Sequence, residues 1–233
     1  MTQDEQKRAA GEAATALVDD SVFVVGLGTG STAAHFVRAL PRRLKDAGLT
    51  GRACVATSVE TAELAQAVGL PLIDLDNAGR IDLTVDGADE IGPGLALIKG
   101  GGGALLREKL VWEASRRCVV IADASKRSDV LGAYPLPIEV VPFGHVTTAR
   151  RIASGLADCG HDVAPRLRYR DGQPFVTDSG NLIYDAPLGA ILDPAGVEAA
   201  LKSITGVVEH GLFLGLAECA LIGIDNGVVR VDR

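Results

Sequence analysis

Between residues 22 and 121 the chain alternates short apolar, β-branched runs with longer segments whose apolar positions recur at helical spacing. A strand that is apolar at every position is buried on both faces, and such strands alternating with helices specify a parallel sheet with helices packed on it. Strands are expected over 22–25, 53–56, 81–85 and 118–121. A first helix is expected over 4–18, where Ala9, Ala10, Ala13, Ala16 and Leu17 recur at helical spacing in an alanine-rich segment. The intervening helices run through Phe36, Val37 and Leu40, closing before Pro41, then over 59–68 with Gly69 just past the end, and over 104–115.

After Lys126 the texture changes. Pro135, Pro137 and Pro142 punctuate the chain, a helix is expected over 146–158, and 163–168, 175–177 and 182–184 read as short antiparallel strands. Asp178-Ser-Gly-Asn181 is a turn signal between two of these strands, and a helix over 194–204 ends near Gly206. Strands over 221–224 and 228–231 flank a hairpin turn at Asp225-Asn-Gly227. The fold class is therefore α/β, a Rossmann-like parallel sheet with helices on both faces plus a smaller inserted α+β domain. The expected boundaries place 1–131 and 208–233 in a Rossmann-like catalytic domain and 132–207 in a smaller α+β lid or oligomerisation domain.

Lys plus Arg is 23 and Asp plus Glu is 30, a net charge of −7, so neither nucleic acid nor an anionic membrane is an expected partner. Cys54, Cys118, Cys159 and Cys219 lie far apart and form no Cys-x-x-Cys pair, which fits reduced thiols better than disulfides or a zinc site. The polar N-terminus has no signal-peptide core, and the apolar-looking run over 212–224 is interrupted by Glu218. The expected compartment is the cytoplasm. Glycine is the outlying residue type: 28 of 233, against the ~7% of an average chain.

Eight of those glycines, Gly26, Gly28, Gly30, Gly87 and Gly100 to Gly103, fall where the predicted strands end. Gly26-Leu-Gly28-Thr-Gly30-Ser31-Thr32 joins the first strand to a helix, a place where backbone N–H groups and the positive helix end attract an anion. A tight strand-to-helix turn also favours glycine for its own sake, and only the hydroxyls of Thr29, Ser31 and Thr32 tilt the reading towards phosphate. Ser31 stands where a dinucleotide fingerprint needs its third glycine, and no lysine is in P-loop register. Thr84-Val-Asp86-Gly87-Ala88-Asp89-Glu90 closes the third strand; it offers carboxylates to the same sheet edge, although Asp-Gly is also a common turn pair. Lys99-Gly100-Gly101-Gly102-Gly103, with Arg107, Glu108 and Lys109 on the following helix, is costly in backbone entropy for a connection between regular elements. Lys99 is suited to a developing oxyanion and Glu108 to a base, the plain alternative for Glu108 being a solvated helix residue paired with a cation. Lys126, in Ala122-Asp-Ala-Ser-Lys126, follows the fourth strand and is suited to complement a phosphate as a point charge, the plain alternative being a surface lysine after a strand. The four histidines are scattered without metal-ligand spacing, so no metal site is expected. Hydroxyls, aspartates, a lysine and a helix-borne glutamate suit proton abstraction beside the carbonyl of a phosphorylated sugar.

The same segments resemble a known family. Gly28-Thr-Gly-Ser-Thr32, Val85-Asp-Gly-Ala-Asp-Glu90, Lys99-Gly-Gly-Gly-Gly103 with Leu106-Arg-Glu-Lys109, and Ile121-Ala-Asp-Ala-Ser-Lys126 are similar, in order and spacing, to the type A ribose-5-phosphate isomerases. The likeness extends from Met1-Thr-Gln-Asp-Glu5 through Pro135-Leu-Pro-Ile-Glu139 and Val176-Thr-Asp-Ser-Gly-Asn181 to Glu209-His-Gly-Leu-Phe213. It implies cofactor-independent interconversion of D-ribose 5-phosphate and D-ribulose 5-phosphate through an enediolate, in the non-oxidative pentose phosphate pathway. It further implies Glu108 as the base, Lys99 at the enediolate oxygen, and Asp86 and Asp89 at the sugar hydroxyls and ring opening. Thr29, Gly30, Ser31, Thr32, Gly87, Ala88, Gly100, Gly101, Gly102 and Lys126 would surround the substrate, with Lys7 in a matching N-terminal segment. A homodimer or homotetramer is implied as well. Glu218 departs from the Asp common in the family. The alternatives are a sugar-phosphate sensor module of related fold that lacks the base, and a related deaminase or coenzyme A transferase.

Overall fold

The computed structural model describes residues 1–233. The helices, in chain order, are α1 (Gln3–Ala14), α2 (Ser31–Asp46), α3 (Val59–Ala67), α4 (Leu75–Ala78), α5 (Leu105–Glu113), α6 (His145–Asp158) and α7 (Pro194–Lys202). The strands are β1 (Val24–Leu27), β2 (Ala53–Ala56), β3 (Leu83–Asp86), β4 (Glu90–Ile91), β5 (Leu97–Ile98), β6 (Cys118–Asp123), β7 (Leu136–Val140) and β8 (Arg166–Leu167). They continue with β9 (Tyr169–Arg170), β10 (Gln173–Pro174), β11 (Leu182–Ala186), β12 (Val207–His210), β13 (Leu212–Phe213), β14 (Cys219–Ile224) and β15 (Gly227–Asp232). No helix is long and apolar enough to cross a membrane.

Two compact units emerge. The first comprises Met1–Ala88, Arg107–Lys126 and Gly215–Arg233. Its six-stranded sheet has the order β15-β14-β6-β3-β1-β2, parallel throughout except for the antiparallel edge pair β14 and β15. The α/β sheet with an inserted second unit is the expected fold class. β6 is buried at all six positions, as a two-faced parallel strand requires. Phe36 and Leu40 of α2 and Ala10 and Ala14 of α1 pack with Leu27, Leu83 and Ile121 of the sheet. α1 begins in a capping box, in which the Thr2 hydroxyl accepts from the Glu5 N–H and the Glu5 carboxylate accepts from the Thr2 N–H. β1 lies between β2 and β3, so the chain turns in opposite directions from its two sides, and the carboxyl ends of β1 and β3 mark the topological switch point.

Two sequence expectations need correction here. The first strand begins at Val24 rather than Val22, because the Asp82 carboxylate takes the N–H groups of Phe23 and Val24, at 2.8 and 3.0 Å, and Phe23 faces solvent. α2 does not close before Pro41 but carries it as an interior residue and runs to Asp46. Tertiary contacts hold the second half: Arg43 donates to the Val18 carbonyl from Nε and Nη2, at 3.2 and 3.1 Å, and Leu44 packs on the core.

The second unit comprises Asp89–Leu106 and Arg127–Leu214. An antiparallel sheet of order β12-β7-β11-β8 packs with α6 and α7 around Ile138, Val140, Ile152, Leu156, Tyr184 and Leu201. A three-stranded sheet, β13-β5-β4, and the hairpin β9-β10 complete it. The proline-punctuated stretch near 135–142 holds β7, buried at all five positions. Pro137 is tolerated because its carbonyl alone serves the ladder there, accepting from Gly211 N at 2.8 Å just beyond β12. The strand expected over 175–177 is not formed; the chain turns instead at Asp171 and Gly172, both at positive φ, to pair β9 with β10, and Val176 keeps a single bridge to Leu182. Segment 89–106 clusters with this unit rather than with the first because β5 pairs with β4 on one side and with β13 on the other.

Candidate active site

In the first unit the glycine loop closes on the end of β3. Gly28 donates its N–H to the Val85 carbonyl at 3.0 Å, and a Cβ at Gly28 would collide with the Asp86 carboxylate, so only glycine fits. Asp86 is completely buried, and its carboxylate accepts from Thr29 N at 3.1 Å, Gly87 N at 2.7 Å and the Trp112 indole at 3.0 Å. That carboxylate is thus a clamp between the loop after β1, the end of β3 and α5, and it brings Thr29, Asp86 and Gly87 together.

Gly30, at φ 102°, turns the chain into α2 and leaves the first-turn N–H groups around Ser31 and Thr32 open to an anion. Lys7 Nζ donates to the Ser31 hydroxyl at 3.2 Å, adding a cation at that helix end. Thr29 is placed differently from the expectation of a hydroxyl facing a ligand. Its Oγ1 lies 2.7 Å from Thr57 Oγ1 and donates to Ser58 Oγ at 2.8 Å. Ser58 donates to Thr61 Oγ1 at 3.0 Å, and Thr61 to the Gly28 carbonyl at 3.0 Å. This ring of hydroxyls returns to the loop it started from and fixes its path.

At the end of β6 the Asp123 carboxylate, fully buried, accepts from Ser125 N at 3.0 Å and Gln3 Nε2 at 3.3 Å. Burial pushes its pKa up, but the Ser125 hydrogen bonds outweigh it and hold the group below the usual range. Lys126 follows, half-buried in a short turn. On α5, Glu108 is 4% exposed and Lys109 3%, which places neither on a solvated helix face.

The second unit supplies the other expected residues. Lys99 is 2% exposed, donates its N–H to Gly211 at 2.9 Å and sets Nζ 5.5 Å from the centre of the Phe213 ring. Asp89 accepts from Gly101 N at 2.7 Å, so it meets the glycine run directly. Gly100 and Gly103 take φ of 103° and 92°, and the Cβ positions of Gly101 and Gly103 are already occupied, by Asp89 with Tyr134 and by Phe175. Gly102 is exposed and Ala88 half-buried. Sequence reasoning missed Trp112, Gln3, the Thr57, Ser58 and Thr61 hydroxyls, and Arg168, whose partners are far away in the chain. Glu218, the departure noted in the sequence, pairs with Arg117 through two hydrogen bonds of 2.8 and 3.1 Å, which lower its pKa.

A parallel sheet whose switch point carries a glycine loop and an open helix amino end, on a chain with a buried glutamate and a buried lysine, defines an α/β protein of the kind that handles small phosphorylated ligands. The model of the family described as ribose 5-phosphate isomerase A (phosphoriboisomerase A) matches residues 53–227. Ribose-5-phosphate isomerase A of Caulobacter vibrioides is 61% identical over 233 residues, covering all of both chains. The solved ribose 5-phosphate isomerase of Plasmodium falciparum superposes with a TM-score of 0.93 at 35% identity, over 99% of each chain. A D-ribose-5-phosphate isomerase in complex with phospho-erythronic acid superposes at 0.91, with 36% identity over the full length of both. The chain belongs to the ribose 5-phosphate isomerase A family.

Proposed function

We propose that this chain interconverts D-ribose 5-phosphate and D-ribulose 5-phosphate, with no cofactor, by moving one proton between C2 and C1 of the opened sugar. The observation that carries the reading is the depth of its two charged groups: Glu108 at 4% and Lys99 at 2% exposure. Charged side chains are not kept this far from water without a task or a partner of matching chemistry.

Glu108 takes the C2 proton, and the C–H electron pair forms the C1=C2 bond of an enediolate while negative charge moves to O1. Lys99 neutralises that oxygen. Glu108 then returns its proton to C1, the O2 proton is transferred to O1, and the ketone forms at C2, so atoms and charge balance. Asp86 and Asp89 hold sugar hydroxyls and assist ring opening, with Gly87 and Ala88 beside them and Gly100, Gly101 and Gly102 lending backbone to the substrate. Gly30, Ser31 and Thr32, at the amino end of α2, receive the phosphate with Lys7 and Lys126. Thr29 supports them through its hydroxyl ring rather than as a phosphate donor. A D-ribose-5-phosphate isomerase of similar structure is solved in complex with phospho-erythronic acid, a phosphorylated sugar acid of the same chemical class as the proposed substrate.

The test is turnover of ribose 5-phosphate by purified protein with EDTA present, alongside Glu108→Gln. The variant is expected to lose about 10²- to 10⁴-fold in kcat while still binding substrate. Full activity in Glu108→Gln would remove the assigned base, and an inactive wild type that binds sugar phosphate would make the chain a sensor. The reading includes a cytoplasmic homodimer or homotetramer. Four unbridged cysteines support the compartment, and Phe143 and Leu192, 95% and 85% exposed, support a covered surface. Fractionation and light scattering decide these two points.

A further inference from the structure

Four consecutive glycines have the largest backbone freedom of any segment in the chain, and a loop placed against a substrate must nevertheless hold one geometry. Inside the second unit one side chain supplies that order. Arg168 Nη1 donates to the Gly100 carbonyl at 2.8 Å and to the Gly101 carbonyl at 3.1 Å. The same guanidinium forks onto Asp185, with Nε to Oδ2 at 2.9 Å and Nη2 to Oδ1. Its side chain is only 13% exposed, so the pair is sheltered from competing water.

The peptides of the run are trans, which sets each N–H opposite the carbonyl of the same unit. The Gly100 carbonyl faces Arg168, and the N–H across that peptide, of Gly101, reaches Asp89 Oδ2 at 2.7 Å. The Gly101 carbonyl faces Arg168 too, and the N–H across that peptide belongs to the exposed Gly102, where it has no acceptor within the protein. A carbonyl bonded to a cation also polarises its peptide and makes the opposite N–H a stronger donor.

We propose that Arg168, held by Asp185, is a positioning residue for the isomerisation: it orients and polarises the Gly101–Gly102 peptide so that the Gly102 N–H donates to the oxygen that becomes negative in the enediolate. The inference rests on the isomerase reading above. Lysine cannot replace it, because a single ammonium cannot grip two carbonyls and a carboxylate fork at fixed angles.

The experiment measures kcat and KM for ribose 5-phosphate in Arg168→Ala, Arg168→Lys and Asp185→Asn. A donor that acts on developing charge changes kcat and leaves KM near its wild-type value. Arg168→Ala is expected to lose about tenfold to a hundredfold in kcat, and Arg168→Lys nearly as much. Asp185→Asn, which keeps the guanidinium but loosens its hold, is expected to fall in between. Added methylguanidinium restores part of the kcat of Arg168→Ala, and methylammonium does not. Where Arg168→Ala fails to fold, the kcat of the other two variants carries the same comparison. Wild-type kcat in every folded variant, or a rise in KM alone, overturns the proposal, as does an Arg168→Ala deficit that guanidinium leaves untouched. A wild-type protein that does not turn over ribose 5-phosphate overturns the isomerase reading itself, and the proposal with it.

Discussion

Glu139 illustrates how a single buried group sets a measurable property. It lies in β7 at 1% exposure, with Oε1 accepting from Thr177 at 2.8 Å and Asn181 at 3.0 Å. Burial pushes its carboxyl above the usual 4.5, against the pull of those two donors. A carboxyl whose folded pKa is raised binds its proton more tightly in the folded than in the unfolded chain. The stability it contributes is present below the unfolded value and is lost as pH rises through the folded one. Glu139→Gln removes the titration, so its stability relative to wild type should improve as pH rises from about 4.5 to about 7.5, read as paired urea midpoints. Equal shifts at both pH values would show that the group does not titrate differently on folding. At this scale the sequence is readable where the chemistry is local. Gly28 and Gly101 stand out in the sequence because a Cβ has no room, and the tight approach is what a glycine-rich motif encodes. Trp112 on Asp86 and Arg168 on Gly100 are not readable, since 26 and 68 residues separate the partners and only the fold joins them.

Among elements, α2 shows where local rules yield. Pro41 removes one backbone bond and crowds the preceding turn, at a cost of about 3 kcal/mol in an isolated helix interior. The helix continues because Arg43 and Leu44 have partners beyond it. Replacing Pro41 with Ala restores a donor while those contacts remain, and is expected to stabilise the protein by about 1–3 kcal/mol, scored as a rise in urea midpoint. A loss of stability would mean that the ring itself packs better than the methyl group. β2, α3 and α6 follow the expected spans within a residue or so because their periodicity and caps agree, as with Ser58, whose hydroxyl accepts from Thr61 N at 3.0 Å. β7 is hidden by its prolines, and β4, β5 and β13 by being two residues long, too short for any period to register. β9 and β10 are displaced from the expected strand by an Asp-Gly turn that apolar patterning does not weigh.

At the scale of the molecule, the polypeptide passes from one unit to the other after Ala88, Leu106, Lys126 and Leu214. Neither unit is a continuous stretch of chain, and the sheet of the first is finished only by β14 and β15, its last-made strands. β14 pairs with β6 through five registered residues, and Cys219 and Leu221 enter the core. A chain lacking 215–233 would bare the β6 edge and the apolar surface beneath it. Such a product is expected to be insoluble or inactive, with solubility after expression as the measure; a soluble, active truncation would show that the β14 pairing is dispensable. In the cell the arrangement has a meaning in time. A ribosome that stops early releases a polypeptide in which the sheet carrying the glycine loop stays open at one side, and incompletely folded chains are triaged by chaperones and proteases. The order of strands therefore works as a check on synthesis, in which β14 and β15 decide whether the strands of their sheet made before them count.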